Sequence, residues 1–257
     1  MTYQVSLEGK VALVTGGSRG LGRAMVMGLA RAGADVVIAS RKLDGCEQVA
    51  AEVTALGRQA LAISAHAGQM ESLDRLLDAT YERFGRLDIL INNAGTNPVT
   101  AALSDLTPEL FQKVFEVNTK GPWYLASRAA PRMASHGGGS IINVISVGGL
   151  KPPAYQGFYA GSKAALHALT KVMAAEWAQI GGRRGQRELV TVGRRAADVK
   201  TLPVDGDRGA GAVGGTADRG RIAVVEHRIG GAAGADREDD RVVVAGQRRG
   251  IADAAGI

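Results

Sequence analysis

The chain has 257 residues, 46% of them hydrophobic, with a formal net charge of +6, which suits one α/β domain with a large core. No run of eighteen apolar residues exists to span a membrane, and the start, MTYQVSLEGK, lacks the basic-then-apolar pattern of a signal peptide. A single cysteine, Cys46, excludes an internal disulfide and points to a reducing, cytoplasmic setting.

Strand and helix patterns alternate from the start. Residues 10–15 are a short β-rich run ending in a glycine-rich turn, and helical spacing follows over 21–32. A second strand is predicted at 35–39, then a helix over 43–56 stopped by Gly57. A third strand at 60–64 precedes a helix over 70–84 that ends at Gly85, and a fourth strand falls at 87–91. Thr107-Pro108 opens a long helix, with Thr as N-cap and Pro at the first helical position. A fifth strand at 140–145 and a helix over about 157–178 complete the pattern. Short, continuous apolar strands alternating with helices predict a doubly wound Rossmann-type parallel sheet with helices on both faces. Ligands bind such sheets at the carboxyl ends of the strands.

The first turn reads Thr15-Gly16-Gly17-Ser18-Arg19-Gly20-Leu21-Gly22. Its glycines let the backbone approach a pyrophosphate, while the following helix offers free N–H groups and a positive dipole end. The second strand ends in Ser40-Arg41-Lys42 rather than in an acidic residue that would bond a ribose hydroxyl. Arg41 with Arg19 suits a 2′-phosphate through charge-assisted hydrogen bonds, so NADP(H) is expected ahead of NAD(H).

The TGxxxGxG spacing of residues 15–22, with Asn92-Asn93-Ala94-Gly95 after the fourth strand, resembles the short-chain dehydrogenase/reductase (SDR) family. The resemblance covers residues 7–180. Tyr159 and Lys163 stand four apart on one helix face, Ser146 precedes Tyr159 by thirteen residues, and Asn118 lies in PheGluValAsnThrLysGly. The resemblance implies Asn118, Ser146, Tyr159 and Lys163 as the catalytic group. It implies cofactor contacts from Gly16, Ser18, Arg19, Gly20, Leu21, Gly22, Ser40 and Arg41, from Asn93, Ala94 and Gly95, and from Tyr159 and Lys163. His66 falls where many relatives carry Asp beside the adenine; a plain loop histidine is the other reading.

The chemistry calls for these residue types. A carbonyl accepting hydride develops charge on oxygen and needs a proton donor there. A phenol of ordinary pKa about 10 exchanges protons poorly near neutrality, and a nearby ammonium favours its ionised form. Ser146 would orient the substrate oxygen. By resemblance, Lys163 also bonds the nicotinamide ribose, and Asn118 holds a water that links Lys163 to solvent. The expected activity interconverts a ketone or aldehyde and an alcohol. The partners are a small carbonyl or alcohol substrate and further copies in a homodimer or homotetramer. Asn97, Pro98, Leu150, Tyr155 and Trp123 are candidates to line the substrate space, while His167 and Trp177 read as packing residues. No Cys/His/Asp cluster has metal-ligand spacing.

The resemblance stops near residue 180. All eleven aromatic residues and all six Met precede it; 13 Arg, 16 Gly and one Lys follow. The sequence thus divides into a dinucleotide-binding catalytic domain, 1–180, and an atypical, poorly ordered or non-native tail, 181–257, with the C-terminal part of the fold missing or aberrant. No sixth strand with a Pro-Gly turn is recognisable there, which leaves a catalytically impaired, dinucleotide-binding relative as the alternative function. Back-translating Asp239–Gly250 and reading one base later permits Thr-Thr-Gly, five residues, then Asn-Gly-Gly, a C-terminal pattern of the family. This points to a reading-frame shift near residue 180 in a GC-rich gene. A genuine disordered tail remains open. A nucleic-acid surface is disfavoured, since 14 basic residues face 11 acidic ones without an aromatic for stacking. Resequencing the gene tests the frame shift: an inserted or deleted base near codon 180 is expected, and an unbroken in-frame gene overturns the idea.

Overall fold

A computed structural model describes residues 6–177 and, as backbone, the segments 189–193 and 224–226. Seven parallel strands form one sheet in the order β3-β2-β1-β4-β5-β6-β7. They are β1 (Val11–Thr15), β2 (Asp35–Ser40), β3 (Ala60–Ser64), β4 (Ile89–Asn92), β5 (Ser140–Val144), β6 (Leu189–Gly193) and β7 (Val224–Glu226). Helices α1 (Gly20–Arg31), α2 (Leu43–Ala55), α3 (Met70–Phe84), α4 (Pro108–Phe115), α5 (Gly121–Ser135) and α6 (Gly157–Trp177) join them. The chain winds outward from β1 to β3, then crosses back to β4 and winds the other way. That reversal opens a crevice at the carboxyl ends of β1 and β4, the general ligand position of open α/β sheets.

Strand alternation supplies two cores at once. Leu13, Leu90 and Ile141 meet Leu73, Leu76, Leu125, Ala129 and Met173 of α3, α5 and α6. Val14, Val36, Ile38 and Ile91 meet Val26, Leu29, Val49 and Val53 of α1 and α2. Neighbouring residues of one strand therefore serve opposite faces, and neither face is left for water.

Three features depart from the sequence expectations. First, the fourth strand starts at Ile89 rather than at 87. Asp88 instead clamps the amino ends of β1 and β4: its carboxylate accepts from Val11 N at 3.0 Å, Lys10 Nζ at 3.1 Å and Arg86 Nε at 2.8 Å. Second, the long helix opened by Thr107, whose Oγ accepts from Leu110 N, is interrupted. One π turn, Glu116–Lys120, separates α4 from α5. Pro122 explains part of this, because it has no N–H to return to the carbonyl of Asn118 four residues earlier. Third, β6 pairs with β5 in parallel register, Ile142 beside Val190, and β7 pairs with β6. The sheet therefore continues into the segment where no family strand was legible. The remainder of the tail, and with it most of the expectation for 181–257, lies outside the described residues.

Burial pushes the Asp88 carboxyl up, but hydrogen bonds from Arg86, Val11 N–H and Lys10 outweigh it and hold the group below the usual carboxylate range. Its stabilisation is thus present above the unfolded carboxylate pKa of about 4 and is lost as pH falls through the lower folded value. Asp88→Asn is expected to cost about 2 kcal/mol at pH 7. Thermal melts should show the gap from wild type narrowing below pH of about 4; a gap independent of pH contradicts the clamp.

Candidate active site

The turn after β1 is shaped by glycine. Gly16 has φ +67, and a Cβ on Gly22 would lie 2.0 Å from the Gly16 carbonyl oxygen. Only a bare backbone lets α1 start this close to the turn. No side chain caps α1, and its first turn holds no acidic residue, so its leading N–H groups are presented to an anion. Ser18 Oγ donates to Ser40 Oγ at 2.9 Å, joining this turn to the end of β2. Ser64 Oγ at the end of β3 donates to the Arg41 carbonyl at 3.0 Å. The corner carrying Arg41 is therefore pinned from both sides, while the Arg19 and Arg41 side chains are exposed. His66 is half-buried and folds onto its own loop, its Nδ1 accepting from Gly68 N at 3.1 Å.

The ends of β1 and β4 are bonded directly. Thr15 and Asn92 are register partners. Thr15 Oγ1 accepts from both Asn93 N and Ala94 N at 3.1 Å. Asn93 Nδ2 in turn donates to the carbonyls of Thr15 at 2.9 Å and Gly16 at 3.2 Å. Asn93 thus serves as a peg between glycine turn and β4. Behind it Asn92 Nδ2 donates to Asn143 Oδ1 at 2.9 Å and Asn143 Nδ2 to Thr170 Oγ1 at 3.0 Å, which satisfies these buried amides and anchors α6.

Asn118 lies in the π turn and is fully buried. Its Oδ1 accepts from Thr96 N at 2.7 Å, and its Nδ2 donates to Thr96 O at 2.8 Å and to Ser162 Oγ at 3.0 Å. The side chain thereby holds the segment after β4 against α6.

The other three expected catalytic residues lie beside two glycines, Lys163 at Gly95 and Ser146 with Tyr159 at Gly148. A Cβ on Gly95 would lie 3.4 Å from Asn118 Oδ1 and 3.4 Å from Lys163 Nζ. A Cβ on Gly148 would lie 3.5 Å from Ser146 Oγ and 3.9 Å from the Tyr159 ring. Lys163, only 4% exposed, donates to the Val144 carbonyl at 2.8 Å. Ser146 Oγ accepts from Gly148 N at 3.1 Å, so its own O–H is the donor it can present outward. A Cβ on Gly149 would meet the Ala164 amide nitrogen at 2.8 Å, so the loop after β5 packs tightly on α6 at Lys163.

Beside Tyr159 runs a shallow groove. Among the described residues, Pro98, Val99, Leu106, Leu110, Val114 and Phe158 form apolar walls, with Asn97, Tyr155 and Gln156 as polar members. Tyr155 is the one described non-glycine residue with positive φ, +66, and its carbonyl accepts from Ala101 N at 3.1 Å, closing the groove's two loops on each other. Of the candidates to line the substrate space, Asn97, Pro98 and Tyr155 line this groove; Leu150 and Trp123 do not and are exposed. Cys46 is buried, and its surroundings, burial first and Glu47 second, push the thiol up to about 11, unsuited to nucleophilic work. Among the described residues no group of three or more His, Cys, Asp or Glu could hold a metal ion, and no helix is long and apolar enough to cross a membrane.

The structure adds Thr96 and Ser162, which motif reading passed over, and gives Thr15 of the glycine motif a bonding role; together their hydroxyl or backbone groups carry the hydrogen bonds between the glycine turn, β4 and α6. Ser162 sits directly beside a recognised motif position, Lys163, which is the signal that would have found it.

Known proteins share this fold. The short chain dehydrogenase family model matches residues 10–183, and the chain belongs to that family of oxidoreductases. It is 35% identical over 171 residues to Tropinone reductase-like 3 of Erythroxylum coca, covering 66% of this chain and 66% of that protein, just under two thirds of its length. It resembles a metagenomic short-chain oxidoreductase solved in complex with NADP (TM-score 0.68, 31% identity, 73% of this chain and 83% of that one). It also resembles an NAD+-bound xylitol dehydrogenase (TM-score 0.68, 27% identity, 73% and 70%). The fold thus binds nicotinamide dinucleotides of both kinds.

Thr15→Val keeps the side-chain shape but leaves two part-buried N–H groups, of Asn93 and Ala94, without their acceptor. A loss of about 3 kcal/mol in denaturant unfolding is expected; a loss under about 0.5 kcal/mol would show that Thr15 does not join the strands.

Proposed function

We propose that the chain is an NADP(H)-dependent oxidoreductase that interconverts a ketone or aldehyde and an alcohol by hydride transfer, with Tyr159 as general acid and base. One observation carries this reading: Ser146 and Tyr159 both lie against Gly148, and Lys163 and Asn118 both lie against Gly95, which follows the Asn93–Ala94 segment bonded to the glycine turn. The residues fit a dinucleotide. Gly22 lets the turn close on the start of α1, a Cβ there meeting the Gly16 carbonyl oxygen at 2.0 Å, and α1 presents its uncapped first turn to a pyrophosphate. Ser18, Arg19, Gly20, Leu21, Ser40 and Arg41 hold the adenosine end, with the two guanidinium groups on the 2′-phosphate. Bound there, the dinucleotide supplies the hydride donor or acceptor.

The protein's own part is geometry and proton handling. Ser146 donates to the substrate oxygen and orients it. Tyr159 gives its proton to that oxygen as charge develops, or takes it back in oxidation. Lys163, held by the Val144 carbonyl, places a positive charge beside the phenol. The described walls of the groove are largely apolar, which suits a substrate with an apolar body beside its carbonyl. Exposed Phe111, Trp123 and Val172 on α4, α5 and α6 suit a homodimer or homotetramer. A reducing cytoplasm remains the setting consistent with the lone buried Cys46.

NADPH and NADH titrations, followed by NADPH oxidation with a panel of ketones, test the reading. Tyr159→Phe is expected to lower kcat/KM by at least about a hundredfold while cofactor affinity stays within about twofold. Comparable affinity for the two cofactors, or preference for NADH, removes the assignment of Arg41. Cofactor binding without turnover of any carbonyl points instead to the catalytically impaired relative.

A further inference from the structure

We propose that Ser162 is a positioning residue for the hydride-transfer reaction assigned above, on which this inference rests: its hydroxyl locks the Tyr159–Lys163 turn to Asn118. Ser162 is fully buried inside α6. Its Oγ donates to the Tyr159 carbonyl at 2.7 Å and accepts from Asn118 Nδ2 at 3.0 Å. Its own carbonyl accepts from Thr119 Oγ1 at 2.9 Å, a second tie to the same π turn.

Helix stability alone gives no reason for a serine here. A mid-helix hydroxyl bonding back to a preceding carbonyl is neutral or slightly unfavourable, and alanine is the better helix former. The hydroxyl instead closes a circuit. Thr96, one residue after Gly95, bonds both ends of the Asn118 amide, and Gly95 lies against Lys163 Nζ. Asn118 passes this position to Ser162, and Ser162 to the Tyr159 backbone. Without the hydroxyl, one Asn118 N–H loses its partner in a buried site, and the helix turn carrying phenol and ammonium can shift relative to Gly95. Displacements well under an ångström to one ångström cost on the order of tenfold to a hundredfold in rate.

Ser162→Ala and Ser162→Thr in the full chain test this. Ser162→Ala is expected to lower kcat on the order of tenfold or more, leave KM and NADPH affinity within about threefold, and displace the pH profile of kcat/KM; Ser162→Thr restores both. A purely structural role would move the melting temperature alone. A readout independent of turnover is the NMR signal of 13C-labelled Tyr159, assigned with Tyr159→Phe, which should change in Ser162→Ala with and without NADP+. Should Ser162→Ala fail to fold, Ser162→Cys, similar in size and weaker in hydrogen bonding, takes its place with an intermediate effect expected. Wild-type kcat, pH profile and Tyr159 signal in the folded variant overturn the proposal. Absence of turnover and of any NADP+ response in the wild-type protein defeats the functional reading instead, and the Tyr159 signal of the cofactor-free variant then still decides for or against Ser162.

Discussion

The hydroxyl of Thr15 sits where the winding of the sheet reverses and accepts two backbone N–H groups from the segment that follows β4. Parallel strands leave their carboxyl ends without further ladder partners, so something must fix how the loops leave them. Here a side chain at the last position of β1 does so, and the rest of the site is built outward from that bond. Asn93 fixes the glycine turn, Thr96 fixes Asn118, and Asn118 fixes α6 through Ser162. The glycine turn and α6, distant in sequence, are thereby set against each other across β4 by short polar side chains and the Thr96 backbone.

The arrangement works because its members are hydrogen-bonded. Asn92, Asn118 and Asn143 are buried amides; Asn92 Nδ2 donates twice, and Asn118 and Asn143 have partners for both donor and acceptor. In a low-dielectric interior such groups are costly when unpaired and rigid when paired. Rigidity is the useful property here. The proposed transfer of a hydride and a proton would gain most from fixed distances between donor, acceptor and charge. The π turn contributes to the same end: a regular helix through Glu116–Lys120 would rotate Asn118 relative to its neighbours, and Pro122 forbids the ordinary hydrogen bond at that place.

Much of the architecture was legible in the sequence. Strands at 11–15, 35–40 and 60–64 and the helix over 70–84 follow from apolar runs and glycine stops that local physics reads directly. The glycine turn and the four catalytic candidates were legible as motifs, because each occupies a fixed distance from a strand or helix end. The break at Glu116–Lys120 was not, since it depends on a proline reaching back four residues and on a tertiary contact to Thr96. The late start of β4 was hidden because Leu87 and Asp88 look like strand residues until the carboxylate is seen clamping Val11, Lys10 and Arg86. Strand β6 was obscured by composition: Leu189–Gly193 sits among arginines and glycines, and only pairing with β5 identifies it.

The central claim is a convergence at one point of a phenol, an ammonium and a hydroxyl next to a dinucleotide laid across β1 and β4. A crystal structure of the protein with NADP+ examines it most directly. The account predicts pyrophosphate density at the start of α1, the 2′-phosphate between Arg19 and Arg41, and the nicotinamide ring in contact with the Ser146–Tyr159–Lys163 group. Density placing the nicotinamide away from Tyr159 and Lys163, or the dinucleotide off the glycine turn, would contradict it.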